Sequence, residues 1–180
     1  MEITITKAPV KNWLQYRDNL IGLIPNLDND PILSPHETDY FTDFQNLNDE
    51  QGWFHTDYLD GNTPKYYGLV KELVSPIIKD TLKGKGFDIV RMWYSRQNNG
   101  DGHPIHHHGN IGYSAVLYVK FNPEVHLPTE YLFPNTKKAK RFPVNEGEFV
   151  MFPSRLRHQA PPNQSDEERI IIAMNIAVDN

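Results

Sequence analysis

Residues 100–119 read G-D-G-H-P-I-H-H-H-G-N-I-G-Y-S-A-V-L-Y-V and hold His103, His106, His107 and His108, four of the chain's eight histidines. Side chains two positions apart on an extended strand point to the same face. His106 and His108 therefore form an i, i+2 pair, His107 points the other way, and His103 belongs to the turn around Pro104. Two neighbouring imidazoles suit one divalent ion, and imidazole favours zinc, iron, copper or nickel over magnesium or calcium. Taken alone, H-x-H is equally compatible with a histidine-rich surface loop. The chain has no cysteine, so any metal must be held by His, Asp or Glu.

Two later stretches bear on that choice. E-G-E-F-V-M-F-P-S-R-L-R-H at 146–158 is an apolar strand followed by a short excursion that carries His158. Eleven residues further on, Arg169 opens R-I-I-I-A-M-N, which is apolar on both faces except for Arg169 and Asn175. A guanidinium at the mouth of a buried strand needs an anionic partner, because burying it unpaired is costly. The partner is either an acid of this chain or a ligand's carboxylate, which arginine grips in bidentate fashion. His36, His55 and His126 are isolated and read as loop or surface residues. Lys137, Lys138, Lys140 and Arg141 read as a solvated turn, with an anionic-substrate contact as the alternative.

The elements that must position these groups follow from the hydrophobic pattern. Ile3 and Ile5 alternate with Thr4 and Thr6, a short opening strand. Trp13, Leu14, Leu20, Leu23 and Ile24 recur at helical spacing until Pro25, predicting an amphipathic helix over 11–24. From 26 to 62 prolines, Asn, Asp and scattered aromatics give a long loop, either stapled over the core or serving as a substrate-facing lid. Thr63 and Pro64 open a second helical pattern through Tyr67, Val70, Leu73, Val74, Ile77, Ile78 and Leu82. Pro76 lies inside it, which predicts a kink or break near Val74. Strands are predicted over 87–95, 112–121, 131–133, 148–152 and 169–178. Helices first and strands after describe an α+β chain with an antiparallel sandwich or barrel core. No repeat or linker divides it, so residues 1–180 are expected to form one domain, with 1–86 as support and 87–180 as core.

The 180 residues are enough to bury a real core, and 38% are hydrophobic. A net charge of −5 argues against a nucleic-acid partner. The start lacks a signal-peptide profile and no apolar run approaches the ~20 residues of a membrane span. The expectation is a soluble, cytoplasmic protein.

The combination resembles the non-haem Fe(II)/2-oxoglutarate-dependent oxygenases, above all the small oxygenases of bacteria and phages related to prolyl 4-hydroxylases. The resemblance rests on H-x-H-x-N-x-x-Y-S-A-V-L-Y-V at 106–119, on the 146–158 stretch, and on P-N-Q-S-D-E-E-R-I-I-I-A-M-N at 162–175. It implies a double-stranded β-helix, or jelly roll, with the N-terminal helices packed on one side. It implies Fe(II) held by His106, His108 and His158, and Arg169 binding the distal carboxylate of 2-oxoglutarate, with Tyr118 and Asn175 as further cosubstrate residues. Trp93 and Tyr94 are candidates to line the pocket, a place that core packing would give them equally. The implied activity is a dioxygenase, a hydroxylase, acting with O2 on a small-molecule or peptide substrate. The family's usual pattern is H-x-D or H-x-E, and this chain has His108 instead of the carboxylate; Asp101 is an alternative ligand at unmatched spacing. A cupin-like three-histidine metalloenzyme that does not use 2-oxoglutarate and a non-catalytic jelly-roll binding protein are the competing expectations.

Overall fold

In the computed structural model the described residues are 3–25, 64–110, 112–134, 136 and 138–179. The long loop at 26–62, with His36 and His55, the helix-opening Thr63 and Lys137 lie outside them. Among the described residues nine strands and two helices follow in the order β1 (Thr6–Pro9), α1 (Trp13–Leu23), α2 (Tyr67–Thr81), β2 (Phe87–Gln97), β3 (His103–His106), β4 (Tyr113–Lys120), β5 (Glu130–Leu132), β6 (Lys140–Arg141), β7 (Glu148–Pro153), β8 (Arg157–Ala160) and β9 (Arg169–Val178). A five-stranded sheet runs β1-β7-β4-β9-β2 and a four-stranded one β3-β8-β5-β6. Every pairing between them is antiparallel.

The period of two decides how the large sheet is used. Along β4, β7 and β9 one set of alternate residues (Ala115, Leu117, Phe149, Met151, Ile170, Ile172, Met174, Ile176) joins one core cluster with Val70, Val74 and Ile78 of α2 and Trp13 and Leu20 of α1. The other set faces the small sheet: Val116, Tyr118, Val150 and Phe152 cluster with Tyr131 of β5. Tyr131 meets Phe152 edge-on with ring centroids 5.0 Å apart. The large sheet is thus apolar on both faces, which explains why β9 shows no polar alternation. Within β9 the inner set is Arg169, Ile171, Ala173 and Asn175, so parity alone puts both polar residues of that strand between the sheets.

Several expectations shift. Tyr94 faces the helices, edge-on to Tyr66 at 6.1 Å, and does not line the space between the sheets. The helix containing Pro76 runs from Tyr67 to Thr81 without a break, with the proline on its exposed side. Leu14, expected on the core face of α1, is 82% exposed, while Trp13 and Leu20 are buried. The opening strand begins at Thr6, and Ile3 and Ile5 pack instead against the inner cluster. α1 is held on the sheet at Gly147, whose φ of 79° brings its backbone flat under the Trp13 ring; a Cβ there would lie 2.4 Å from Trp13 Cγ. No helix among the described residues is long and apolar enough to cross a membrane.

Candidate metal centre

The small sheet assembles the histidines. His103 belongs to β3 and not to a turn, and His106 closes that strand directly opposite His158 of β8. Two residues separated by fifty-two positions thus become cross-strand neighbours. His108 lies just beyond β3, where its backbone N–H donates to Ser154 O at 2.9 Å. The Ser154 N–H donates in turn to Gly112 O at 3.0 Å, so the loop is pinned at both ends to the corner between β7 and β8. Gly112, at φ 126°, is needed there, since a Cβ would meet Ile176 O at 2.6 Å.

The ligand atoms of His106, His108 and His158 all lie within 4.8 Å of one another. Ring centroids are 4.3 Å apart for His106 and His158, 4.8 Å for His106 and His108, and 5.1 Å for His108 and His158. His106 Nδ1 is 2.8 Å from Pro104 O, and His158 Nδ1 is 2.8 Å from Leu156 O. A carbonyl only accepts, so in the neutral form of either ring Nδ1 carries the proton and Nε2 the free lone pair. This is the tautomer that would leave Nε2 free for a metal, fixed by the same two-residue backbone contact in both rings. His103 stacks on His106 with centroids 4.0 Å apart and planes 26° from parallel, and Trp93 lies 5.4 Å from His108. His107 points away, its Nδ1 accepting the Gly109 N–H at 3.0 Å.

Burial disfavours the protonated form of His108 and His158. It pulls His108 down to about 2, helped by His106, His158, His107 and Arg91. It pulls His158 down to about 3, helped by His106, against the opposing bond to Leu156. An unfolded histidine takes up a proton near 6.5, whereas these two in the folded, metal-free protein do not. The unfolded state therefore binds more protons below that pH, and stability is lost as pH falls from about 6.5 toward 3, by up to about 1.4 kcal/mol per pH unit for each histidine. Urea midpoints of metal-free protein at about pH 7 and about pH 5 measure this. The midpoint should drop, and drop less in a His108→Ala, His158→Ala double variant; equal drops would mean the rings are solvated.

The histidines line one cavity together with Trp93, Ser95, Gln97, His103, Ser114, Thr129, Phe152 and Gln159. No carboxylate is among its described lining. Asp101 is occupied elsewhere, its carboxylate accepting from the Asn98 N–H at 2.9 Å. The donor set is thus three neutral imidazoles, which fits a borderline divalent ion such as iron or zinc and leaves coordination positions open toward the cavity.

Arg169 is 2% exposed and sits beside this cavity without being part of its lining. Its Nε donates to Gln97 Oε1 at 2.6 Å, Nη1 to Leu127 O at 2.6 Å and Nη2 to Pro161 O at 2.7 Å. All three partners are neutral, and burial lowers the guanidinium to about 10. A buried cation with only neutral partners among the described residues is the arrangement expected where a ligand brings the anion. Tyr118 is buried with its hydroxyl donating to Thr129 Oγ1 at 2.9 Å and accepting the Thr129 N–H at 3.1 Å, and Thr129 itself reaches the cavity. Asn175 Oδ1 accepts from Ser114 Oγ at 3.0 Å.

The sequence reading did not pick out Ser95, Gln97, Thr129 or Gln159. Ser95 and Gln97 share alternate positions of one strand with Arg91 and Trp93, a mixed face that gave no signal. His126, expected at the surface or in a loop, is a buried loop residue that accepts the Asn122 N–H at 3.0 Å and lies 2.9 Å from Glu167 O. It organises the loop after β4 and is remote from the metal ligands in role. From the basic run, Arg141 pairs with Glu130 and Lys140 lies over the Phe133 ring.

Residues 91–175 match the family model described as "Putative 2OG-Fe(II) oxygenase". The matched stretch begins in β2, contains His106, His108, His158 and Arg169, and ends at Asn175. It is the family that the three sequence motifs resemble, and its metal and cosubstrate are Fe(II) and 2-oxoglutarate. No curated protein matches the chain. Among solved structures, an oxidoreductase of the 2OG-Fe(II) oxygenase family from Burkholderia pseudomallei is similar at 14% identity and a TM-score of 0.54, covering 64% of this chain and 57% of its own. AviO1 from Streptomyces viridochromogenes Tue57 is similar at 14% identity and a TM-score of 0.62, covering 97% of this chain and 90% of its own. EvdMO1 is similar at 14% identity and a TM-score of 0.69, covering 98% of this chain and 47% of its own. The chain therefore spans little more than half the length of the Burkholderia protein and under half that of EvdMO1. At such identities the likeness is one of fold: an α+β chain built on a jelly-roll core.

Proposed function

We propose that this protein is an Fe(II)- and 2-oxoglutarate-dependent dioxygenase that hydroxylates a small-molecule or peptide substrate. The observation that carries the reading is a cavity lined by three convergent imidazoles, with a buried, neutrally partnered arginine bonded to Gln97 of its wall. In this reading His106 and His158 hold the metal through Nε2 together with His108, and Arg169 supplies the positive charge for the remote carboxylate of 2-oxoglutarate. When bound, metal and cosubstrate supply the oxidation: O2 and 2-oxoglutarate are consumed, succinate and CO2 are released, and a substrate C–H bond is hydroxylated.

The chain's own residues position and protect that chemistry. The Pro104 and Leu156 carbonyls hold His106 and His158 in the metal-binding tautomer. Trp93 and Phe152 wall the histidines with apolar surface, Phe152 lying edge-on to His158 at 4.7 Å, and keep bulk water from the site. Thr129 is locked by Tyr118, so its position in the cavity wall is set before any ligand arrives. Asn175, with Ser114, does the same near the loop that carries His108.

A second reading is favoured by one specific feature, the absence of a carboxylate from the described metal ligands. Three histidines with open positions also suit a cupin-like metalloenzyme or a catalytic zinc site that does not use 2-oxoglutarate. Anaerobic addition of Fe(II) and then 2-oxoglutarate separates the two. The proposed oxygenase develops a weak visible charge-transfer band and forms succinate once O2 is admitted. Metal binding with neither band nor succinate would transfer the site to the second reading, and no metal binding would leave a non-catalytic jelly roll.

A further inference from the structure

We infer that Ser154, anchored through its hydroxyl by Ser114 and Asn175, is a positioning residue of the metal triad, because its turn directs both His108 and His158; this rests on the three-histidine site of the reading above. Pro153, Ser154, Arg155 and Leu156 form a turn between β7 and β8, closed by the Leu156 N–H donating to Pro153 O at 2.9 Å. Ser154 uses both of its backbone groups on the loop that follows β3. Its carbonyl accepts the His108 N–H at 2.9 Å, and its N–H donates to Gly112 O at 3.0 Å. The Leu156 carbonyl, in the same turn, is 2.8 Å from His158 Nδ1. One turn therefore meets two of the three ligands.

The loop that carries His108 is not stiff by itself. Gly109 and Gly112 sit at φ 71° and 126°, and glycine loses the most backbone freedom on ordering, so the loop keeps its shape where something outside fixes it. Ser154 is that fixed point, and a buried chain of side chains fixes Ser154. Turns ordinarily lie at the surface, yet Ser154 is buried, as are Ser114 and Asn175. Ser114 Oγ lies 3.0 Å from Asn175 Oδ1 and 3.1 Å from Ser154 Oγ. An amide oxygen only accepts, so the single Ser114 hydroxyl proton goes to Asn175, and the Ser154 hydroxyl donates to Ser114. The chain runs in one direction, from the turn through β4 to β9.

That chain ties the turn to the middle of the large sheet. Ser114 is the register partner of Asn175 on one side and of Phe152 on the other. Ser114 also lines the cavity beside the histidines, so the turn's distance from the cavity is set by the two strands behind it. Without the Ser154 hydroxyl the backbone bonds to the loop remain, but turn and loop are free to shift together relative to His106. Metal–nitrogen bonds of about 2.0–2.1 Å tolerate only about 0.2 Å, so a small shift of this seat is enough to weaken the site.

The test is Co(II) binding to metal-free protein, read by calorimetry and by the visible spectrum of the bound ion. Ser154→Ala should weaken Co(II) roughly 10-fold, the lower end for a residue that holds a ligand without touching the metal, and should shift the spectrum. Ser114→Ala should do the same, and decides the matter if Ser154→Ala does not fold. Ser114→Thr keeps the hydroxyl and should restore both affinity and spectrum. The double variant Ser154→Ala, Ser114→Ala should bind Co(II) about as well as Ser114→Ala alone, because both changes cut one chain. Unchanged Co(II) affinity and spectrum, whatever happens to the urea midpoint, would overturn the inference by showing a purely structural role. Additive losses in the double variant would also overturn it. Wild-type protein that binds Co(II) but, loaded with Fe(II), takes no 2-oxoglutarate would instead overturn the oxygenase reading and leave the positioning role standing.

Discussion

His158→Ala should weaken Fe(II) or Co(II) binding by at least about 1,000-fold, a larger loss than the 10- to 100-fold typical for an outer-shell partner. His158 is one of the three proposed ligands, and its strand is set by β8 pairing on both sides, to His106 and to Tyr131. Gln159 points to Glu130 and Asp101 caps its own turn, so neither is placed to replace it. The fold should survive, because the ring leaves an apolar wall of Phe152 behind and removes a polar group from burial. Calorimetric titration with metal, together with the urea midpoint of the metal-free form, measures both effects. His103→Ala is the contrasting variant. It removes the ring stacked on His106 but no ligand, and should cost far less metal affinity. Comparable losses for the two variants would mean that the ion sits elsewhere in the cluster.

Arg169→Ala should weaken 2-oxoglutarate by about 100-fold or more while metal affinity survives, and should lower stability by about 3 kcal/mol. Both consequences come from the same three hydrogen bonds. Without the guanidinium, Gln97 Oε1, Leu127 O and Pro161 O are left without its donors in a buried place. Relief of the cation's own desolvation offsets part of that cost, which is why the expected loss is below the sum of three orphaned acceptors. Arg169→Lys keeps the charge but cannot span three acceptors from one ammonium, so it should recover part of the stability and little of the binding. The charge-transfer titration and a denaturation curve read the two quantities separately. Retained 2-oxoglutarate affinity in Arg169→Ala would remove the cosubstrate role and leave Arg169 as a tie between β2, β9 and the neighbouring loops.

The two positions differ in how visible they were beforehand. Arg169 and Asn175 stand out in the sequence because they interrupt an apolar run, and strand parity then puts both on one face whatever the rest of the fold does. Ser95 and Gln97 lie in a strand of mixed character, where a buried orphan donor looks the same as a solvated polar residue. His103 read as a turn residue because Gly100, Gly102 and Pro104 surround it; pairing of β3 with β8 overrode those local preferences. Tyr94 could not be separated from Trp93 by pattern, since adjacent residues of a strand buried on both faces are equally apolar.

By itself the sequence determined the order of the motifs, the strand character of residues 87–178 and the chemistry available to them: imidazoles and no thiols, and one arginine in an apolar strand. Those are properties of residue type and of a backbone period of two, which act locally. Only the tertiary structure decided that His106 faces His158 across a strand pair, that helices cover one face of the large sheet and leave the other to the cavity, and that Arg169 is satisfied by neutral partners. Each of these depends on register and on which faces meet, quantities set by contacts between separate elements of the chain. The His-x-His pair takes its meaning from that pairing, because two imidazoles become a metal site only when a third is brought beside them.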